Sequence, residues 1–168
     1  MGGRVLAAAI PVLCGLLGAL AANLPISLLS GMVPPPLLAL MPVYFWCLVR
    51  PDLMSPGWAA AIGLVEDILS GGPPGIWTAA FVATYAVIDR QRDAFAGLAG
   101  LGAILGFATA ALVACASAYI IVTIYYWDFP PFSPMLGEFA MTVLFYAPVA
   151  FLLGAIHRHL VGPLRSEF

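Results

Sequence analysis

The chain has 168 residues, of which 63% are hydrophobic and only 8% are charged. Soluble globular domains carry about 25% charged residues, and a folded unit of this size has too little interior to hide so much apolar surface from water. The net charge of −2 excludes the basic surface that nucleic-acid binding requires. The composition therefore predicts a single all-α domain, residues 1–168, built as a bundle of transmembrane helices in contact with membrane lipid.

Six apolar stretches, separated by Gly, Pro and charged residues, are candidate membrane spans. They cover about residues 5–23, 34–49, 56–70, 75–88, 97–126 and 135–156. A spanning helix takes roughly 20 apolar residues, so spans two to four are short and are expected to pack inside the bundle or to meet thinner bilayer.

Local signals define several ends of these spans. Pro34–Pro36 are expected to open the second helix, and Pro42 is expected to kink it. Ser55 and Pro56 predict an N-cap and first helical residue for the third helix. The intervening segments 24–33, 89–93 and 127–134 are expected to be turns or loops, and residues 157–168 a short polar tail.

The positions of the basic residues support the count of six. All six are Arg, and in this arrangement they occur at the N-terminus, in two alternate connections and at the C-terminus: Arg4, Arg50, Arg90, Arg92, Arg158 and Arg165. These four places share one side of the membrane, and the other three connections contain no Lys or Arg. The positive-inside rule then predicts that both termini are cytoplasmic.

A signal peptide is the alternative interpretation of the first span. Arg4, the apolar run and Ala19–Leu20–Ala21 resemble a secretory signal with a cleavage site, and cleavage would leave five spans with the Arg residues still on one side. The run is longer than the roughly 7–15 residues of a signal peptide's apolar region, which favours six spans.

Two adjacent carboxylates, Glu66 and Asp67, lie near the end of the third span in an otherwise apolar stretch. Carboxylates inside a membrane are costly and are candidate functional residues. Because neighbours on a helix point about 100° apart, the two cannot share one ion without a bend. Asp67 is expected to accept hydrogen bonds from the backbone near Gly75–Trp77, where the fourth helix begins. Protonation, water exposure of Glu66 and an ion-coupling role are the alternatives.

Small residues recur at every fourth position along the fifth span: Gly102, Gly106, Ala110, Ala114 and Ala118. Such a stripe lets another helix approach closely. Packing within this bundle and docking of a partner's transmembrane helix both fit the pattern. We therefore treat the stripe as a candidate docking face.

The remaining polar and aromatic features suggest no catalytic chemistry. His157 and His159 would diverge on a helix and make poor metal ligands, while Glu138 is expected to open the last helix, where a carboxylate suits the dipole. The loop 127–134 combines aromatic residues with prolines and is expected at the membrane interface. No cofactor site or enzymatic activity is predicted.

Two motifs in residues 41–88 resemble the rod shape-determining protein MreD family. Met41–Pro42–Val43–Tyr44 is followed by Arg50–Pro51, and the run from Gly63 through Glu66–Asp67 to Gly71–Gly75 ends in a Gly/Pro turn. The family's Asp corresponds to Asp67 and its Arg-Pro pair to Arg50 and Pro51. Its turn corresponds to Gly72, Pro73 and Gly75.

This resemblance implies a non-enzymatic scaffold of the cell-elongation machinery in the bacterial inner membrane. The expected partner is the single-span protein MreC, and through it a penicillin-binding transpeptidase, RodA and MreB. The family bundle is also similar to the substrate-binding subunits of energy-coupling-factor vitamin transporters. A vitamin-binding subunit is therefore the alternative function, for which Trp77 or Trp127 would line a pocket.

Overall fold

The computed structural model describes residues 2–24, 34–96 and 101–161, apart from the side chains of residues 2–8 and of Ala96. Regular structure in these ranges is entirely helical, which confirms the all-α prediction. The helices are α1 (Gly2–Ala22), α2 (Leu40–Val49), α3 (Pro56–Ser70), α4 (Ile76–Arg90), α5 (Arg92–Ala96), α6 (Leu101–Tyr126) and α7 (Phe132–Ile156), and a π-helical turn, His157–Val161, continues α7. The predicted turn at residues 24–33 lies almost wholly outside the described ranges.

The short helix α2 forms the centre of the bundle. Its residues from Leu40 to Cys47 are all buried except Phe45. Around it, α1, α3, α4, α6 and α7 pack each against the next, and the π-helical turn after α7 contacts α1. A helix of ten residues is about 15 Å long. Because neighbouring helices surround α2, it needs no greater length to bury its apolar side chains.

The predicted start of the second helix at residue 34 is wrong. Residues 34–37 are not helical, and α2 begins at Leu40. Successive prolines hold the preceding residues in extended backbone, and the Leu37 N–H donates instead to Thr142 Oγ1 at 2.9 Å. Pro42 lies in the first turn of α2, where N–H groups lack helical partners, so the reason for expecting a kink there disappears.

The limits of α3 confirm the predicted helix at residues 56–70. Ser55 has extended backbone and its hydroxyl accepts from the Trp58 N–H at 3.4 Å, with Pro56 as the first helical residue. The polar connection expected at residues 89–93 is mostly wrong, because α4 continues to Arg90 and Arg92 begins the extra helix α5. This helix packs against α2 through Phe95, whose ring centroid lies 6.2 Å from that of Tyr44.

The last helix begins earlier and continues further than predicted. It starts at Phe132, with Pro134 in its first turn, so Glu138 lies in the second turn rather than at the opening. At its other end the helix passes directly into the π-helical turn His157–Val161, where the sequence suggested a polar tail. Residues 162–168 lie outside the described ranges.

Contacts between helix ends bring the described Arg residues to one end of the bundle, here called the Arg end. The Tyr85 hydroxyl of α4 donates to the Met54 carbonyl at 2.9 Å, which joins the end of α4 to the start of α3. Trp46 and His157 rings lie 5.8 Å apart and join the ends of α2 and α7. Arg50, Arg90, Arg92 and Arg158 all belong to these ends.

Two helical segments in the described ranges, Leu101–Tyr126 and Phe132–Val161, are long and apolar enough to cross a membrane. In both segments most residues are exposed or only partly buried, so part of each helix surface faces outward. Large apolar side chains on that surface include Leu101, Leu105, Ile124, Leu144 and Phe151.

Candidate functional site

The carboxylate of Asp67 accepts hydrogen bonds across the turn between α3 and α4. Its oxygens accept from the backbone N–H groups of Gly75 at 2.9 Å, Trp77 at 2.8 Å and Thr78 at 3.1 Å, and from the Thr78 hydroxyl at 2.6 Å. The expected contact with the start of the fourth helix is therefore confirmed. A negative charge at this helix N-terminus is stabilised by the α4 dipole, which offsets its unfavourable place near the end of α3.

Glu66 is buried beside α1 rather than exposed to water, with 4% of its surface accessible. Its Oε1 accepts from the Asn23 side-chain amide at 2.8 Å, which ties α3 to the end of α1. Its Oε2 is buried and has no hydrogen-bond partner among the described residues. The two adjacent carboxylates thus differ, since Asp67 is saturated with donors and Glu66 retains one free oxygen.

The turn between α3 and α4 has left-handed backbone at two glycines, of which the resemblance selected Gly75 but not Gly71. Gly71 and Gly75 have φ values of 67° and 98°, in the left-handed region that side chains disfavour. Gly72 has no such backbone, and Pro73 is half-buried beside it. Gly71 ends α3 as its C-cap, a common role for Gly. Its position directly after the last helical residue was the signal that could have identified it.

Gly63 lets α3 and α4 touch through their backbones. A Cβ atom at this position would lie 2.7 Å from the Thr78 Cα and 2.7 Å from the Trp77 carbonyl oxygen. Both are backbone atoms of the segment that Asp67 holds. Close approach at Gly63 and hydrogen bonding at Asp67 therefore fix the same two residues of α4.

Arg50 and Pro51 form a turn at the opposite end of the molecule. The Arg50 guanidinium donates to both carboxylate oxygens of Asp52, at 2.9 and 2.8 Å, and these hydrogen bonds lower the pKa of Asp52. The Leu53 N–H donates to the Arg50 carbonyl at 3.0 Å and closes the turn. The Arg-Pro pair and the Asp67 turn therefore do not form one site.

Tyr44 lies in an aromatic cluster in the core. Its ring meets the rings of Phe107 and Tyr146 edge-on, with centroids 5.3 and 5.8 Å away, while those two rings stack at 4.0 Å. The cluster joins α2, α6 and α7. Tyr44 is therefore a packing residue of the core in this structure, with 1% of its surface exposed.

The stripe of small residues on α6 packs inside the bundle. Gly106, Ala110, Ala114 and Ala118 are buried and Gly102 is half-buried, with Ala118 packed against Ile76 and Ala80 of α4. Docking of a partner helix on the same residues stays a prediction, and their present burial leaves little of the stripe exposed. The alternative, packing within the bundle, is what the structure shows.

A cavity of about 290 Å³ lies between α4, α6, α7 and the loop that precedes α7, at the end opposite the Arg residues. Trp77, Tyr119, Met135 and Glu138 contribute to its wall. From the sequence, Glu138 was expected only to open the last helix. The position of Glu138 in the sequence could not indicate the cavity, because the cavity forms only when α4, α6 and α7 pack together.

The contacts of Asp67, Glu66, Gly63 and Tyr44 hold helices together. The described residues contain no group of three His, Cys, Asp or Glu side chains arranged to bind a metal ion. No family model, curated protein or solved structure matches the chain. The resemblance to the MreD family therefore depends on the motifs alone.

Proposed function

We propose that this protein is a non-enzymatic scaffold of the bacterial cell-elongation machinery, with six membrane spans and cytoplasmic termini in the inner membrane. It would organise side-wall peptidoglycan synthesis by docking with MreC. Contacts with the penicillin-binding transpeptidase, RodA and MreB would be indirect. The proposal combines the family resemblance with three physical features of the bundle.

The surface favours a membrane setting. Outward-facing residues along α1, α3, α6 and α7 include many large apolar side chains, such as Leu17, Ile68, Leu105 and Phe151. Water-soluble monomers rarely expose apolar surface of this extent. The described Arg side chains gather at one end, which agrees with the positive-inside pattern.

One observation carries the scaffold proposal. The second of the two motifs that resemble the MreD family lies at the contact between α3 and the start of α4. Gly63 and Asp67 of α3 both contact residues 77–78 of α4, and Gly75 supplies the backbone bend between them. The motif thus encodes a rigid helical hairpin. Since its carboxylate is occupied by four hydrogen bonds, it has a positioning role rather than a catalytic one.

The experiment that tests this proposal is purification of the tagged protein from native membranes in mild detergent, with co-purifying proteins identified by mass spectrometry. We expect MreC, with RodA or the transpeptidase, at levels well above an unrelated tagged membrane protein. Paired ATPases with a shared coupling subunit, and no MreC, would contradict the scaffold and support vitamin uptake.

The cavity beside Trp77 is the observation that favours the alternative, a vitamin-binding subunit. Specific small-molecule sites usually combine apolar walls with several convergent polar groups. Among the lining residues, the Tyr119 hydroxyl is already engaged with the Pro130 carbonyl at 2.9 Å, which leaves Glu138 as the free ionisable carboxyl group. Because the cavity offers so few polar groups to a vitamin, the scaffold is the better-supported function.

A further inference from the structure

Two aromatic side chains in the wall of the cavity between α4, α6 and α7 are held in place. Tyr119 is fixed both by its hydrogen bond to the Pro130 carbonyl and by stacking on Phe132, with ring centroids 4.6 Å apart. Trp77 packs edge-on against Phe81 at 6.3 Å, and its backbone is held by Asp67. A cavity of about 290 Å³ with such walls is preformed for a small ligand.

One ionisable group in the cavity wall is a carboxyl group without a described partner of opposite charge. Glu138 lines the cavity, and no described residue donates a hydrogen bond to the Glu138 carboxylate. Glu66 of α3 also keeps a buried oxygen without a hydrogen-bond partner among the described residues. An unpaired carboxylate in an apolar setting is costly, so a cation bound at Glu138 would be strongly favoured.

No described side chain supplies a cation near this cavity. The sequence contains no Lys, and the described Arg side chains lie at the other end of the bundle. The segment 25–33, which lies outside the described ranges, contains neither Lys nor Arg. The described part of the chain therefore leaves a cationic partner of Glu138 to be supplied by another molecule.

We propose that this cavity is a binding site for an organic ammonium group, which pairs with Glu138 and lies against the rings of Trp77 and Tyr119. Aromatic faces attract such cations through their quadrupoles, and the attraction strengthens where water is excluded. The ammonium could be carried by the headgroup of a membrane lipid or by a free small molecule. The site does not depend on the proposed scaffold function.

The test measures choline binding by calorimetry to the full chain in phosphatidylglycerol nanodiscs. The control ligand, 3,3-dimethylbutan-1-ol, has the same shape without the charge. We expect choline to bind at least about tenfold more tightly than the alcohol. Equal affinity for choline and for the alcohol, or no choline binding at all, would overturn the proposal. This comparison uses only the unmodified protein and therefore does not depend on whether any variant folds.

Two variants locate the charge. Glu138→Gln should weaken choline binding at least about tenfold, whereas Asp128→Asn, which removes an exposed carboxylate of the preceding loop, should leave it unchanged. A folded Glu138→Gln protein that binds choline normally would overturn the site. Repeating the titration in phosphatidylethanolamine nanodiscs identifies the source: weaker choline binding indicates a lipid headgroup, and unchanged binding indicates a free cation.

Discussion

At the scale of single residues, Asp67 shows how an apolar helix tolerates a carboxylate. Four donors surround its two oxygens, three of them backbone N–H groups at the start of α4. Charge-assisted hydrogen bonds of this kind are stronger than neutral ones. Asp67 therefore stabilises the α3–α4 hairpin, and its effect on function is expected to be indirect.

Replacing Asp67 with Asn should lower the stability of the purified protein. The Asn amide would direct its own N–H groups toward backbone donors, with an expected loss of about 2–4 kcal/mol. Thermal unfolding in detergent measures the change. Asp128→Asn is the control, because that carboxylate is exposed and bonds only its neighbour's N–H. Similar losses in both variants would show that the Asp67 contacts are unimportant.

Two glycines of α3 should respond oppositely to Ala. Gly63→Ala would place a Cβ against the α4 backbone and is expected to cost about 1–3 kcal/mol. At Gly57 the nearest atom to a Cβ is the Ser55 hydroxyl oxygen at 3.7 Å. Gly57→Ala should therefore stabilise the helix by roughly 0.5–1 kcal/mol. A neutral Gly63→Ala in the same unfolding assay would contradict the close helix contact.

The hydrogen bonds of Asp67 could be predicted from the sequence, whereas those of Glu66 and Thr142 could not. Asp67 bonds across a short turn, so its partners lie within eleven residues. Thr142 accepts from Leu37, a residue 105 positions away, and Glu66 reaches Asn23 across 43 positions. Such pairs form only through tertiary packing, and a local pattern of residues in the sequence does not indicate them.

At the scale of helices, the small-residue stripe of α6 is an internal packing face. Ala114→Leu should overpack it against the neighbouring helices and lower stability by about 1–3 kcal/mol. Ala147→Leu is the matched control because Ala147 is exposed on α7. Equal unfolding temperatures for the two variants would mean that the stripe has room for a partner.

Helix limits were predictable wherever capping chemistry is local. Ser55 and Pro56 define the start of α3, and Gly71 defines its end. The start of α2 was not predictable in this way, since it depends on Leu37 bonding to Thr142 of a distant helix. Likewise, α5 is too short and too polar for its periodicity to indicate a helix, and Phe95 packs it against Tyr44.

At the scale of the whole molecule, six crossings require that the Arg end and the aromatic loop lie on opposite sides of the membrane. Single cysteines at the exposed positions Asp93 and Ser133, in a chain whose three native cysteines are replaced, test this arrangement. An impermeant thiol reagent should label Ser133→Cys in intact spheroplasts and Asp93→Cys only after lysis. Labelling of both from outside would contradict six spans.

The clustering of Arg residues at one end was predictable from the chain alone, because hydropathy and the positions of basic residues determine sidedness together. Which helix lies at the centre was not predictable. The hydrophobicity of α2 resembles that of α6 and α7, and only packing distinguishes the enclosed helix from its neighbours.

The most direct test of the proposed scaffold is depletion of the protein in the organism that encodes it, with cell shape and side-wall peptidoglycan labelling followed by microscopy. We expect rods to become round and lateral labelling to fall, with rescue by the unmodified chain and by Asp128→Asn. Cells that remain rod-shaped with normal lateral labelling after complete depletion would contradict a role in elongation.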